Sequence, residues 1–248
     1  MKKLIIILIC LIVIALGVVG YFLWKDSTSG PGEVITSGEE TTPKSLAELT
    51  EVTPVTIKEE ARGVNRIVDV TYPSIQSFKN KNFQKYINDM ITKVIFAYRD
   101  EINVIVDEET PASNLYTYTT SYEKYAHGDY LSLIISNDYQ TGGIRSNQWK
   151  DIYNVDVRTE RLLHLSDVFA ANVDYENLIL EEIKKQSEQN NYVLMNGEGL
   201  EQLSENQKFF MKDEKLYIYF DPAEIAPASY GELQFEMPFV LKEGKFAK

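Results

Sequence analysis

The sequence predicts an α+β fold with a mostly antiparallel sheet and two main helices, organised as a two-part ectodomain behind one N-terminal transmembrane helix. Three observations support this prediction. A long apolar run opens the chain, two later stretches repeat apolar residues at spacings of three and four, and several stretches alternate with period two. Because the patterned stretches follow the order strand, helix, strands, helix, strands, they indicate the α+β class rather than alternating β–α units.

The apolar run occupies residues 4–24 and follows Lys2 and Lys3. At about 1.5 Å per residue it reaches roughly 30 Å, the thickness of a bilayer's hydrocarbon core. No small-residue cleavage site ends the run, and Cys10 lacks the small residue that precedes a lipid-attachment cysteine. We therefore expect a single-pass signal anchor in the cell membrane that binds the lipid bilayer through residues 4–24. The basic N-terminus should stay in the cytoplasm, which makes the C-terminal domain extracellular.

Composition divides the rest of the chain. Residues 25–62 are rich in Ser, Thr, Gly, Pro and Glu, and we expect a disordered linker because they cannot bury enough apolar surface. Residues 1–24 then form a cytoplasmic stub and anchor, 63–150 an N-terminal subdomain and 151–248 a C-terminal subdomain. The only cysteine lies within the anchor, so the exported part must be stabilised by its core and not by a disulfide.

The N-terminal subdomain should begin with a strand that starts near Val64 and stops at Pro73, because proline donates no hydrogen bond to a sheet. A helix with apolar residues from Phe83 to Ile102 follows, and Asn80 or Asn82 can cap it. The next predicted elements are a strand over 115–124 and two antiparallel strands, over 131–136 and 153–157, joined by a connection that contains Gly142-Gly143, where the backbone needs positive φ.

The C-terminal subdomain opens with a short apolar run over residues 162–165. A helix over 173–189 follows and stops at Asn190-Asn191. A hairpin pairs residues 209–211 with 216–220, and a last strand covers 233–241 with almost perfect alternation.

The formal net charge of −12 restricts the classes of partner. It argues against nucleic-acid binding, which needs a basic surface against phosphate. An acidic surface favours a cationic protein and accelerates the encounter with it. The alternative is that the charge serves solubility alone.

The chain shows no catalytic motif that the sequence alone can identify. It lacks a nucleophile elbow, a phosphate-binding glycine loop and paired cysteines, so we assign no catalytic residue and expect no cofactor. The two histidines, His127 and His164, lie in separate segments, and we expect no metal site. Carboxylates near strand ends could act as acid and base in glycoside cleavage, although a pair among 37 is also expected by chance. These carboxylates are Asp156, Asp167, Asp221 and Glu224.

The connection between the two central strands, from Gln140 to Trp149, is the best candidate for contact with a ligand. Arginine and tryptophan are enriched at binding hot spots, and this loop contains one of each. We therefore predict ligand-binding residues at Gly142, Gly143, Arg145 and Trp149. The alternative is a hairpin loop whose Trp149 folds back onto the sheet.

Several short motifs, in a fixed order, resemble a known family of ectodomains. They are Tyr72-Pro73, Ile87-Asn88, Tyr139 to Gly143, Tyr153 to Asp156, Leu165 to Phe169, Phe220 to Pro222, Ile225 to Pro227 and Phe235 to Phe239. From about Val64 to Leu241 the chain resembles the RsiV-like extracytoplasmic domain family, which is shared by the anti-sigma factor RsiV and the non-catalytic part of the deacetylase PdaC.

The resemblance implies an ectodomain that binds rather than catalyses, with a cationic protein such as lysozyme, or peptidoglycan glycan, as its partner. A cell-wall-active hydrolase or deacetylase accessory is the alternative. The chain departs from the family where relatives carry Ala-His in place of Ile144-Arg145 and Gly in place of Glu160. Only Met1, Lys2 and Lys3 precede the apolar run, so we do not expect the chain to regulate a sigma factor.

Overall fold

A sheet of six strands is the largest element of the structure. The structure is a computed structural model, and it describes residues 44–60, 65–106, 114–143, 146–195, 200–242 and 244–247. Within the sheet β2 and β3 run parallel, whereas the other neighbours run antiparallel, which confirms the predicted α+β class. In spatial order the strands are β1 (Val52–Glu60), β2 (Asn65–Ile75), β3 (Leu115–His127), β4 (Tyr130–Thr141), β5 (Asn147–Asp156) and β6 (Arg161–Leu162).

The helix α2 (Lys81–Ile105) connects the two parallel strands, as a parallel pair requires a long crossover. The predicted cap is confirmed, because Asn80 Oδ1 accepts hydrogen bonds from the N–H groups of Asn82 and Phe83 at 3.1 Å each. The buried isoleucines of α2 pack on one face of the large sheet, which we call the helix face. A single-turn helix, α1 (Leu46–Leu49), packs its buried Ala47 against the same core.

A sheet of three strands packs on the opposite face of the large sheet, which we call the C-terminal face. Its strands are β7 (Phe209–Lys212), β8 (Lys215–Phe220) and β9 (Leu233–Glu236). Phe210 and Tyr219 from this small sheet pack against Ile134 of β4. Two side chains also join the layers, because Asn154 Nδ2 donates to Phe209 O at 2.7 Å and Ser132 Oγ accepts from Met211 N at 3.0 Å.

The second helix predicted from the sequence, α3 (Tyr175–Asn190), packs against the small sheet and ends at Asn191 in the left-handed conformation. A short 3-10 turn over Leu165–Val168 contributes to the same core. The last predicted strand is interrupted: β9 ends at Glu236, and the pair β10 (Val240–Lys242) and β11 (Lys245–Ala247) forms a separate ribbon.

The predicted linker over 25–62 is wrong for residues 44–60, which form α1 and β1. Val52, Val55 and Ile57 pack against the core of the helix face, so this stretch does bury apolar surface despite its polar composition. Residues 25–43 lie outside the described part. The strand β2 also continues past the predicted stop at Pro73, since β3 pairs with β2 only as far as Val70 and needs no N–H beyond it.

The strand β5 crosses residue 150, so the large sheet takes strands from both predicted subdomains. The residues from Lys44 to Lys248 form one compact unit. Among the residues that the structure describes, no helix is both long enough and apolar enough to cross a membrane. The predicted anchor over 4–24 and its cytoplasmic stub lie outside those residues.

Candidate functional site

The small sheet covers only part of the C-terminal face and leaves a polar cleft of about 430 Å³ on the rest. Strand alternation explains its composition: Ile135 and Tyr139 of β4 point to the helix face, whereas Ser136 and Asp138, which alternate with them, point to the cleft. The strand register places two rows of facing residues on the floor. One row is Thr119, Asp138 and Gln148, and the other is Ser121, Ser136 and Lys150.

Asp138 is the carboxylate on the cleft floor. Its Oδ2 atom accepts hydrogen bonds from Gln148 Nε2 at 2.6 Å and from Ser146 Oγ at 3.1 Å. Both donors are neutral, and no ion pair within the described ranges includes Asp138. The two bonds orient the carboxylate without neutralising its charge.

Lys150 and Glu232 form one wall of the cleft. Lys150 Nζ lies 2.7 Å from Glu232 Oε1, and the Tyr219 hydroxyl donates to Glu232 Oε2 at 3.2 Å. The ammonium group also lies 5.2 Å from the centre of the Tyr219 ring. Burial, followed by the charges of Glu232 and Asp221, raises the pKa of Tyr219, so this hydroxyl remains protonated. The wall therefore presents a paired lysine and not a free positive charge.

The side chain of Asp221 bonds to the backbone of β5 beside the cleft. Its Oδ1 atom accepts from the backbone N–H of Lys150 at 3.0 Å, and its Oδ2 atom pairs with Lys208. The N–H of Asp221 in turn donates to Glu224 Oε2 at 2.7 Å, while burial raises the pKa of Glu224. Asp221 thus holds the end of β8 against β5, and Glu224 fixes the turn that follows β8.

The other carboxylates considered for catalysis also hold turns. Asp156 Oδ1 accepts from the N–H groups of Arg158 and Thr159 at 2.9 and 3.0 Å. Asp167 accepts from the N–H of His164 at 2.8 Å and pairs with Arg161 at 3.0 Å. Burial acts to raise the pKa of Asp167, but the His164 N–H and the Arg161 guanidinium hold it below its ordinary value.

The predicted ligand-binding glycines lie in the turn after β4. Gly142 has a φ of 73°, and a Cβ atom there would lie 2.8 Å from the Tyr116 hydroxyl, so the backbone and the packing both require glycine. Its N–H donates to Leu115 O at 2.9 Å, and Gly143 O accepts from Gln140 Nε2 at 2.6 Å. The predicted residue Arg145 lies outside the described residues.

Trp149 borders the cleft, but its ring packs on the helix face. The ring centre lies 4.7 Å from that of Tyr98 and 6.4 Å from that of Tyr139. Its Nε1 donates to Asp151 Oδ2 at 3.3 Å. The side chain therefore has the folded-back position that was the alternative interpretation of this loop. Contact of Gly142, Gly143, Arg145 or Trp149 with a ligand stays a prediction.

Asp151 forms a buried polar network behind Trp149 that sequence patterns did not reveal. Asn137 Nδ2 donates to Asp151 Oδ2 at 3.0 Å, and Asn137 Oδ1 accepts from the Tyr118 hydroxyl at 3.0 Å. Burial raises the pKa of Asp151, whereas the bonds from Asn137 and Trp149 act to lower it. The sequence does contain one signal for this network: Asn137 in β4 and Asp151 in β5 are polar residues at positions where the strand alternation calls for apolar ones.

Asp138 and Gln148 were also missed from the sequence. They meet because β4 and β5 extend beyond the predicted strands over 131–136 and 153–157, and the register of the pair places Asp138 opposite Gln148. His127 and His164 lie in separate surroundings, and Nε2 of His127 is 3.5 Å from Glu214 Oε1. The described part of the chain contains no group of side chains that could hold a metal ion.

Comparison with known proteins finds a family whose sequences match part of the chain. Residues 166–240 match the family described as "Protein of unknown function (DUF3298)". None of the curated proteins matches the chain.

Two crystal structures are similar to this one over most of its length. A DUF3298 family member from Bacteroides fragilis is 14% identical with a TM-score of 0.60, and the match covers 83% of this chain and 96% of that one. A DUF3298 family protein from Pseudomonas aeruginosa is 13% identical with a TM-score of 0.57, and covers 78% of this chain and 93% of that one. The chain therefore shares the fold of these DUF3298 proteins, and its segment 166–240 is similar to that family in sequence.

Proposed function

We propose that the protein is a non-enzymatic binding domain, anchored outside the cell membrane, that recognises a cationic protein such as lysozyme. The observation that carries the proposal is the polar cleft on the C-terminal face, whose floor contains an oriented carboxylate that, among the described residues, only neutral donors hold. The volume of the cleft lies within the range of ligand-binding clefts, and convergent polar groups of this kind orient a ligand in such sites.

The charge of the whole chain supports a cationic partner. At a formal net charge of −12, the protein attracts a basic protein over long distances and accelerates the encounter at low salt. Salt at physiological strength screens this attraction beyond about 8 Å, so the affinity should depend strongly on ionic strength.

The carboxylates favour binding over the alternative of a wall-active enzyme. A glycosidase needs two carboxyl groups that face each other across the scissile bond. Asp156, Asp167, Asp221 and Glu224 instead bond to backbone N–H groups that fix turns or strand edges.

The match to the DUF3298 family also supports the proposal. The DUF3298 match over 166–240 is consistent with the RsiV-like resemblance of the sequence, and that resemblance implies an outward-facing receptor. The apolar run over 4–24 supports a membrane anchor. Carbonate washing of membranes tests the anchor: the chain should stay in the membrane pellet, and release into the wash would contradict it.

Binding is tested with the full-length chain in a non-ionic detergent, immobilised by its C-terminus. We expect egg-white lysozyme to bind, with an affinity that falls steeply as salt is raised. Soluble peptidoglycan fragments serve as the second ligand, and binding of these fragments without lysozyme would replace the protein partner by wall glycan. Release of sugars or acetate from peptidoglycan would favour the enzymatic alternative.

A further inference from the structure

The cleft floor offers a set of hydrogen-bond acceptors around one unneutralised carboxylate. Asp138 uses Oδ2 for both of its neutral donors, and among the described residues Oδ1 has no hydrogen-bond partner. Its cross-strand neighbour on β3 is Thr119, and the next row contains Ser121 and Ser136. These hydroxyl groups can accept as well as donate.

The size and spacing of the floor suit one planar, multiply donating group. Three adjacent strands span about 10 Å, and rows two residues apart are separated by about 7 Å. Among the described residues that line the cleft, the single lysine, Lys150, is already paired with Glu232, so it does not repel a second cation. Within the described part of the chain, the floor therefore combines a negative charge, several acceptors and no unpaired lysine or arginine.

We propose that this cleft binds the guanidinium group of an arginine on the cationic partner, with Asp138 as its charged acceptor. Arginine has five N–H donors in a rigid plane and can bond Asp138 and the neighbouring hydroxyl groups together, whereas lysine has only three donors on one atom. The inference rests on the proposed function, because it supplies the contact by which the domain recognises a cationic protein.

The composition of the cleft favours arginine over a sugar ring. Sugar sites usually contain an aromatic platform, but the ring of Trp149 packs against Tyr98 on the helix face and the ring of Tyr219 is fully buried. The polar floor supplies hydrogen bonds without a stacking surface.

The substitution Asp138→Asn tests the inference in the full-length chain. It retains the shape and an oxygen acceptor for Gln148 but removes the charge. The matched control is Glu181→Gln, which removes the same charge from an exposed position on α3. With egg-white lysozyme as the probe, Asp138→Asn should weaken binding about tenfold or more, because the acceptor loses its charge, while Glu181→Gln should bind as the wild type does. Equal thermal melting curves exclude a folding defect.

The outcomes separate this inference from the proposed function. If the wild type and Asp138→Asn bind lysozyme equally, the arginine site is overturned and the proposed function stands. If the wild type does not bind lysozyme, the proposed function fails, and the site is tested with N-acetyl-arginine amide by NMR. Shifts of the Gln148 side-chain amide that are absent with the citrulline analogue and in Asp138→Asn support the site, and the absence of such shifts in the wild type overturns it.

Discussion

Glu160 accepts a hydrogen bond from the backbone N–H of Asn80, the cap of α2, at 2.7 Å across 80 residues of sequence. Its other carboxylate oxygen accepts from the N–H of Lys79 at 2.7 Å. Glu160 has a φ of 50°, a conformation that favours glycine, so a strained turn positions the side chain that orients the start of α2.

Two substitutions of Glu160 should therefore distinguish the effect of the backbone strain on stability from the effect of the two hydrogen bonds. Glu160→Ala keeps the strain and loses both bonds, and we expect it to lower the free energy of unfolding by about 1–2 kcal/mol. Glu160→Gly also loses both bonds but relieves the strain, so its loss should be smaller. Urea denaturation measures both. A glycine variant more stable than the wild type would show that the strain outweighs the bonds.

Asn88 should be required for joining α2 to β2. Its side chain donates to Ile75 O at 2.8 Å and accepts from Ile75 N at 2.9 Å, in a partly buried position. We expect Asn88→Ala to lower the free energy of unfolding by about 2 kcal/mol, because it leaves two backbone groups unsatisfied. Asn82→Ala, at an exposed position of the same helix, is the control and should lower it much less in the same thermal melts. Equal losses would argue against the special role of Asn88.

Gly142 should tolerate substitution less well than Gly128. Both have positive φ, but a Cβ atom at Gly142 meets the Tyr116 hydroxyl, whereas nothing lies within 4 Å of one at Gly128. We expect Gly128→Ala to lower the free energy of unfolding by about 1 kcal/mol and Gly142→Ala by about 2–3 kcal/mol. Chemical denaturation of the two variants tests this ranking, which equal values would refute.

Asp151 should make stability depend on pH. Because burial raises its pKa in the folded state, that state holds the proton more tightly than the unfolded chain does. Its contribution to stability is therefore greatest below the unfolded pKa of about 4 and is lost as the pH rises through the raised folded pKa. Asp151→Asn should remove this part of the slope in urea denaturation across that range.

The control for the pH experiment is Glu181→Gln, a change of equal charge at an exposed position. It should keep the slope of the wild type. If Asp151→Asn keeps that slope as well, the carboxylate of Asp151 is not the group responsible.

Local patterns were sufficient to predict the two long helices and most strands, because each depends on its own residues. The helical spacing from Phe83 and the cap at Asn80 correctly predicted α2. The strand β1 was missed because its inward residues, such as Val55 and Ile57, lie within a polar composition that resembles a linker. Its order comes from pairing with β2 and from packing on the core of the helix face, and the composition of the stretch does not show these tertiary contacts.

The candidate site was less predictable for the same reason. A loop with arginine and tryptophan drew attention to Trp149, and this residue does border the cleft. Asp138 and Gln148 are ordinary polar residues in sequence and become a pair only through the register of β4 and β5. The direction of the Trp149 ring was also set by tertiary packing against Tyr98.

The position of β1 at the rim of the sheet has a mechanical consequence. Among the described strands β1 pairs only with β2, whereas the cleft lies on β3, β4 and β5. A pulling force that enters the domain from its N-terminal side reaches α1 and β1 first, and β1 can detach while every pairing from β2 to β6 stays intact. We therefore expect the cleft to keep its strand pairing under tension that has already extended the first strand.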